Sequence, residues 1–189
     1  SKEEITKEMD SILERFKGEE AEPKKVHEDG TEERDLLGST LLYNQKKGTM
    51  KIHMKDYVEK MLTNPNLGFN MEGCGTSATP CAPYADLSSG KNRDDFPMRR
   101  LVGGLLWLAV MCRPDIQYAV SKLAQFADKP TQSAVVAGKR ILKYLKGTLE
   151  TGIQYSKENE SAFRKTYQTV LGEHADERNE SKAVLPDFV

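Results

Sequence analysis

Apolar residues recur every three or four positions in several stretches of the chain, which is the spacing of one face of an α-helix. The first stretch predicts a helix over 2–17, where Ser1 and Glu4 fit a capping box. Its apolar face comprises Ile5, Met9, Ile12, Leu13 and Phe16. A second, short helix is predicted to end before Pro65. Its apolar face comprises Tyr57, Val58, Met61 and Leu62.

A shorter period of two, with apolar and polar residues alternating, predicts a β-hairpin between these helices. Its strands lie over 36–44 and 49–53, and the chain turns near Gly48. The preceding residues 19–34 are polar and contain turn-forming residues, so they are predicted to be a loop.

Three more helices are predicted in the second half of the chain. The first, over 98–112, is apolar on nearly every side and is expected to be the central core helix, with Trp107 inside the core. The second starts at Arg113-Pro114-Asp115, because proline suits the first helical position and a carboxylate suits the N-terminal dipole. Its inward face comprises Ile116, Ala119, Val120 and Leu123.

The last of the three helices is predicted to run from Lys129-Pro-Thr131 to Gly147, a residue suited to a helix C-terminus. Its inward face comprises Ala134, Val135, Gly138, Ile141, Leu142 and Leu145. Beyond it, residues 151–155 could form a strand, and residues 156–182 are a polar tail or a weak helix.

These elements predict an α+β fold, mainly a helical bundle with a small β-hairpin. Four regions are expected along the chain. They are 1–62 with the first helix, the hairpin and the short helix, 63–97 as an irregular connector, 98–156 as a helical region, and 157–189 as a polar tail that leads to the first half of a strand. The connector is rich in proline and glycine, which disfavours regular structure.

The net charge of -1 conceals a strong asymmetry along the chain. Residues 91–149 carry 11 basic and 4 acidic side chains, a balance of +7, whereas residues 1–35 carry 7 basic and 13 acidic ones, a balance of -6. Such asymmetry indicates a middle region that faces a polyanion, with solvated acidic ends.

The last predicted core helix carries the sharpest candidate site. Lys139, Lys143 and Lys146 stand at i, i+4 and i+7 on the face opposite its apolar residues, with Arg140 beside them. A row of cations about one turn apart can follow a phosphate backbone. Tyr144 lies beside the row and could stack on a base. The alternative is an ordinary solvated helix face.

Other candidate chemistry is weak. Arg113 and Asp115 could be a catalytic pair, but Pro114 between them favours a structural helix start. The histidines at 27, 53 and 174 have no carboxylate or cysteine at ligand spacing, so no metal site is predicted. The three cysteines lack CxxC spacing and indicate reduced thiols of an intracellular protein, cytoplasmic or nuclear. The longest apolar run, 101–112, is too short to span a membrane.

Several short blocks occur in an order that resembles the C-terminal part of a copia-type retrotransposon reverse transcriptase. The blocks are Leu36-Leu-Gly-Ser-Thr-Leu-Leu-Tyr, Lys47-Gly-Thr-Met-Lys-Ile, Lys55-Asp-Tyr-Val-Glu-Lys-Met-Leu62, Ser77-Ala-Thr-Pro80, Arg100-Leu-Val-Gly-Gly-Leu-Leu-Trp-Leu-Ala109, Cys112-Arg-Pro-Asp-Ile-Gln-Tyr-Ala-Val120 and Arg140-Ile-Leu-Lys-Tyr-Leu-Lys-Gly-Thr148. The Arg-Pro-Asp-Ile and Tyr-Leu-Lys-Gly-Thr blocks are the most specific, and the resemblance covers about residues 1–156.

The resemblance implies a role for each region. Residues 1–17 resemble the helix after the catalytic Tyr-x-Asp-Asp turn, Leu37 and Gly38 the primer grip, and residues 55–150 the thumb and connection before ribonuclease H. The implied partners are an RNA–DNA or DNA duplex and the palm and ribonuclease H parts of the same polyprotein, with no membrane.

The resemblance also implies that this chain lacks catalytic residues. It contains no Tyr-x-Asp-Asp, and it stops where the ribonuclease H strand is expected to begin. No cofactor is expected for this chain, because Mg²⁺ belongs to the complete polymerase. The expected function is to hold a primer–template duplex without catalysis. The alternative is a non-catalytic helical module that binds another protein, and salt-dependent binding of an RNA–DNA duplex separates the two.

Overall fold

The computed structural model describes residues 2–16, 25–83 and 85–173, and within them the fold is α+β. The helices are α1 (Lys2–Arg15), α2 (Lys55–Thr63), α3 (Met98–Met111), α4 (Gln117–Ala124), α5 (Gln132–Gly147) and α6 (Lys157–Glu173). The strands are β1 (Lys25–Val26), β2 (Glu32–Leu36), β3 (Ser39–Asn44), β4 (Thr49–His53) and β5 (Ile153–Ser156). Short 3-10 turns lie at Pro65–Leu67 and Pro114–Ile116.

The five strands form one antiparallel sheet in the order β1-β2-β3-β4-β5. The predicted hairpin is present as β3 and β4, but the sheet is larger than a small hairpin. β2 lies at 32–36, inside the segment predicted to be a loop, so that prediction was wrong. Its sequence, Glu-Glu-Arg-Asp-Leu, carries no strand pattern of its own. Pairing with β3 supplies the hydrogen bonds that local sequence does not encode.

Leu37 and Gly38 form a two-residue turn between β2 and β3. Leu36 pairs with Ser39, and both turn residues have positive φ, 53° at Leu37 and 80° at Gly38. This is the primed turn whose twist matches that of a β-hairpin. The single strand predicted over 36–44 is therefore divided at its start. Leucine rarely adopts a positive φ, and Leu37 is also 76% exposed, so local energetics do not explain its presence there.

Pairing of β5 with β4 brings together the chain segments just before α2 and just after α5. β5 pairs with β4 in the register Ile52 to Ile153, and the chain between these two strands contains α2 to α5. Gly152 makes this approach possible, because a β-carbon there would overlap the carbonyl group of Ile52. The strand suggested at 151–155 is confirmed as β5, shifted by two residues at its start.

The core is formed by α2, α3, α4 and α5, with α3 at its centre. Leu101, Leu105 and Leu108 of α3 are completely buried. The predicted inward faces of α4 and α5 are confirmed, since every residue named for them is buried. Gly138 of α5 allows close packing, because a β-carbon there would lie 2.8 Å from Cδ2 of Leu101.

One side of α3 is open to solvent, which corrects the prediction that this helix is buried all round. Trp107 is 41% exposed and Val110 is 74% exposed, so Trp107 is not a core residue. Within the described chain, α4 and α5 pack on α3, and side chains of α2 approach it at Gly104. Apolar character predicts burial only where another element is available to cover it.

The first and last helices lie outside this core. α1 confirms the helix predicted near the N-terminus, and Met9 and Ile12 of α1 and the following Phe16 are exposed. The predicted N-cap Ser1 and the half-strand at the C-terminus lie outside the described residues. α6 occupies part of the segment that the sequence left open as a tail or a weak helix.

Two glycine substitutions test the closure of the sheet. We expect Gly152→Ala to lower the free energy of unfolding by more than about 2 kcal/mol, because its methyl group would separate β4 from β5. Gly103→Ala is the matched control. No atom lies within 4 Å of a β-carbon at position 103, and alanine should stabilise α3 there by about 1 kcal/mol. Urea unfolding measures both, and equal stability of the two variants would contradict the predicted contact.

Candidate nucleic-acid interface

A buried guanidinium group connects the start of α4 to the end of α5. Arg113 is only 1% exposed. It donates through Nε and Nη2 to the carboxylate of Asp115, at 3.0 and 2.8 Å. It also donates to the carbonyl oxygen of Thr148 at 2.9 Å and to its hydroxyl oxygen at 2.7 Å. The 3-10 turn that precedes α4 begins at Pro114, between the two charged residues.

Tyr144 belongs to the same network. Its ring lies 5.5 Å from the guanidinium carbon of Arg113, and its hydroxyl group donates to Asp115 at 2.8 Å. Burial alone would raise the pKa of Asp115, but the hydrogen bonds from Arg113 and Tyr144 outweigh it and hold that pKa below its ordinary value of 3.8. Tyr144 was proposed as a residue that stacks on a base. In the structure, a face of its ring is in contact with Arg113.

The basic row on α5, which comprises Lys139, Arg140, Lys143 and Lys146, lies against the connector and forms hydrogen bonds with it. Lys146 donates to the carbonyl oxygen of Cys74 at 2.5 Å, and Arg140 donates to the carbonyl and hydroxyl oxygens of Thr79 at 3.2 and 2.8 Å. The ammonium group of Lys139 lies 5.9 Å from the ring centre of Phe96. These partners are neutral, so they bind the cations without cancelling their charge.

Lys143 differs from its neighbours in the row. Its carbonyl oxygen accepts a hydrogen bond from the amide of Ser77 at 3.2 Å. Its side chain is half-buried, and its ammonium group forms no hydrogen bond or ion pair with the described residues. Lys143 is therefore the cation of this row that is most available to an external phosphate.

The connector continues along α5 to the start of that helix. The amides of Gln132 and Ser133 donate to the carbonyl oxygens of Lys91 and Ser89 at 2.9 and 3.3 Å. Thr131, the N-cap of α5, accepts a hydrogen bond from the amide of Ala134 at 3.1 Å. The contacts of residues 74–79 and 87–93 thus follow α5 in the antiparallel direction, from its end to its start.

The primer-grip-like pair, Leu37 and Gly38, lies in the turn at one end of the β2–β3 hairpin. Leu37 exposes its side chain at the tip, beside the half-exposed Leu36. The amide of Gly38 donates to the carboxylate of Asp35 at 3.3 Å, which stabilises the turn.

Sequence reasoning found the cations but missed their partners. Thr148 is the second anchor of Arg113, and its only signal was its place in the Tyr-Leu-Lys-Gly-Thr block. The carbonyl oxygens of Cys74 and Thr79 gave no signal, because every residue has such a group.

The remaining titratable groups of the described residues do not meet the requirements of a metal site. Among them, no group of three or more His, Cys, Asp or Glu side chains could hold a metal ion. All three cysteines are free, and burial raises the pKa of the Cys112 thiol. Burial and the charge of Lys51 lower the pKa of His53. None of the described helices has the length and apolar character that a membrane-spanning helix requires.

The structure is thus an α+β domain in which the cations on the outer face of α5 form no ion pair with the described residues. Its sequence is similar to Pol polyproteins of plant transposons. It is 46% identical over 93 residues to the retrovirus-related Pol polyprotein from transposon RE1 of Arabidopsis thaliana, which is 48% of this chain and 6% of that protein. It is 29% identical over 122 residues to that of transposon TNT 1-94 of Nicotiana tabacum, which is 60% of this chain and 9% of that protein.

A shorter relative is an uncharacterized mitochondrial protein of Arabidopsis thaliana, AtMg00810, 35% identical over 112 residues, which is 57% of this chain and 45% of that protein. The chain therefore spans a small part of the transposon polyproteins and less than half of the mitochondrial protein AtMg00810. No family model matches the chain. No solved structure matches it either. These similarities support a transposon-derived protein related to retrotransposon Pol polyproteins.

The Arg113 network predicts a pH-dependent loss of stability. Asp115 has a lower pKa in the folded than in the unfolded protein, so its contribution is complete above about pH 4 and is lost as the pH falls through the folded-state pKa. We expect Asp115→Asn to cost about 2 kcal/mol at pH 7, because Arg113 stays buried with a weaker partner. Urea unfolding between pH 7 and pH 3 should show this difference shrinking. The same change at exposed Asp94 is the control, and an equal effect there would contradict the prediction.

Proposed function

We propose that this chain is the primer–template-holding part of a retrotransposon RNA-directed DNA polymerase and that it holds the duplex without catalysing its extension. The observation that carries the proposal is the unneutralised basic row on α5. None of Lys139, Arg140, Lys143 and Lys146 forms an ion pair with a described residue. α5 contains no acidic side chain, so the positive field of this face remains open to a polyanion.

The similarity to Pol polyproteins supports the choice of a nucleic acid as that polyanion. Lysine and arginine bind phosphate oxygens regardless of base sequence, which suits a polymerase that must accept every template. The exposed Leu37, held at a positive φ in the β2–β3 turn, supports a second contact with the primer strand, since strained and exposed apolar residues concentrate at binding sites.

The alternative, a helical module that binds another protein, has its own observation in the exposed side of α3 at Trp107 and Val110. The similarity to transposon proteins favours the first proposal, because it accounts for the basic row and the matched blocks together.

Removal of one lysine tests the proposed interface. We expect Lys143→Ala to weaken binding of an RNA–DNA duplex and to lower the slope of log affinity against log salt by about 0.9, the value of one phosphate contact. The loss should be similar for duplexes of unrelated sequence, because phosphates carry no sequence information.

The matched control is Lys46→Ala, which removes the same charge from the exposed turn between β3 and β4. Fluorescence anisotropy over a series of salt concentrations measures both variants. Equal slopes for Lys143→Ala, Lys46→Ala and the unchanged protein would mean that α5 has only a solvated basic face.

The absence of a Tyr-x-Asp-Asp sequence gives a prediction about activity. We expect no template-dependent primer extension by this chain with Mg²⁺, because two-metal phosphoryl transfer requires a carboxylate pair to hold the metal ions. A complete reverse transcriptase serves as the positive control. Extension above a buffer control would refute the assignment of a holding role alone.

A further inference from the structure

The contacts of the connector with α5 fall into two groups of different strength. Toward the start of α5, residues 87–93 are fastened by backbone hydrogen bonds from Arg93, Gln132 and Ser133, and by the hydroxyl group of Thr131, which donates to the carbonyl oxygen of Leu87. Arg93 also donates to the side chain of Gln132 at 2.6 Å. This end of the connector is anchored to the helix by both backbone and side chains.

Toward the end of α5, the connector is held mainly by the cations themselves. We call residues 74–81 the strap. Its only backbone hydrogen bond to α5 among the described residues is the one from Ser77 to Lys143. The other polar contacts come from Arg140 and Lys146, and most strap residues are exposed or half-buried. Cys74 and Cys81 at the two ends of the strap pack against the core, but residues 75–80 between them are exposed or half-buried and have little buried area to keep them in place.

The strap offers the cations neutral carbonyl and hydroxyl oxygens as acceptors, whereas a duplex would offer charged phosphate oxygens. A hydrogen bond from arginine or lysine to a phosphate is roughly twice as strong as one to a neutral acceptor. Arg140 and Lys146 cannot use the same donors for the strap and for a phosphate at once. A duplex that uses Nε and Nη2 of Arg140, or the ammonium N–H that Lys146 directs at Cys74, therefore competes with Thr79 and Cys74 for these donors.

We propose that the strap is an autoinhibitory element, which occupies Arg140 and Lys146 in the free protein and is displaced when a polyanion binds along α5. This inference rests on the proposed function, since it assigns a regulation to the same basic row. Lys143, whose ammonium group has no described partner, makes the first contact. Release of the strap then provides two further phosphate contacts.

A reversible disulfide can hold the strap closed. A β-carbon at Gly147 would lie 3.2 Å from that of Thr76, and a disulfide needs about 3.8 Å between these atoms, so a small shift accommodates Thr76→Cys/Gly147→Cys. The pair is introduced together with Cys74→Ser and Cys81→Ser, which prevents exchange with the strap's own thiols. Thr76→Cys in the same background is the control that cannot form the bridge.

Binding of an RNA–DNA duplex is measured for the oxidised and the reduced protein over a series of salt concentrations. We expect the oxidised form to bind about tenfold more weakly or worse, with a log–log salt slope lower by about two, because two phosphate contacts are withheld. The control should bind equally with and without reductant. Equal affinity and slope for the oxidised and reduced pair would overturn the proposal.

A failure of the proposed function gives a different result. If neither redox form binds the duplex, the holding role is refuted, and inorganic polyphosphate replaces the duplex as the probe. Weaker binding of polyphosphate by the oxidised form then supports the strap, and equal binding overturns it.

Hydrogen exchange in the unaltered chain gives a test that is independent of the cysteine variants. The amide of Ser77 is protected by Lys143 only while the strap is closed. We expect a saturating polyanion, duplex or polyphosphate, to speed exchange at Ser77 and to leave exchange at Gln132, in the anchored part, unchanged. Unchanged or slower exchange at Ser77 would overturn the proposal.

Discussion

The arrangement of the helical core depends on one buried positive charge. The guanidinium group of Arg113 is removed from water, and such a charge is tolerated only when its hydrogen bonds are satisfied. Asp115 and Thr148 satisfy them, and these two residues lie at the start of α4 and just after the end of α5. The cost of leaving Arg113 unpaired therefore fixes α5 against the core, because any movement of its end would break the network.

The two faces of α5 differ in function: one packs on the core and the other carries the candidate interface. Its inner face packs on α3 and α4, where Gly138 allows close contact with Leu101. Its outer face carries the basic row, so the network that holds the helix also orients the candidate interface. Elsewhere in the described chain, cations such as Lys47 and Lys55 pair with carboxylates, Asp29 and Glu150. α5 has its distinct electrostatic character because four cations lie close together on a helix that contains no acidic side chain.

The connector links this candidate interface to the rest of the fold. Because residues 74–79 and 87–93 contact α5 near its end and its start, a segment without regular structure becomes part of the site. A loop of this length inside a compact domain is uncommon unless it is functional. Its partners near the end of α5 are the cations that charge reasoning selects, so the structure adds a competitor to the basic row and leaves the choice of cations unchanged.

The sequence by itself determined α1 to α5, the inward faces of α4 and α5 and the row of cations, since helical spacing and proline placement are local properties of the chain. It identified the residues of Arg113-Pro114-Asp115 but not the partner at Thr148. It could not determine β2, the exposure of Trp107 or the path of the connector. Each of these depends on residues distant in the sequence. β2 pairs with β3, Trp107 is exposed because no described element covers that side of α3, and the connector follows the cations of α5. Pairing, burial and contacts to backbone carbonyls are properties of two segments together, and only the tertiary structure brings such segments into contact.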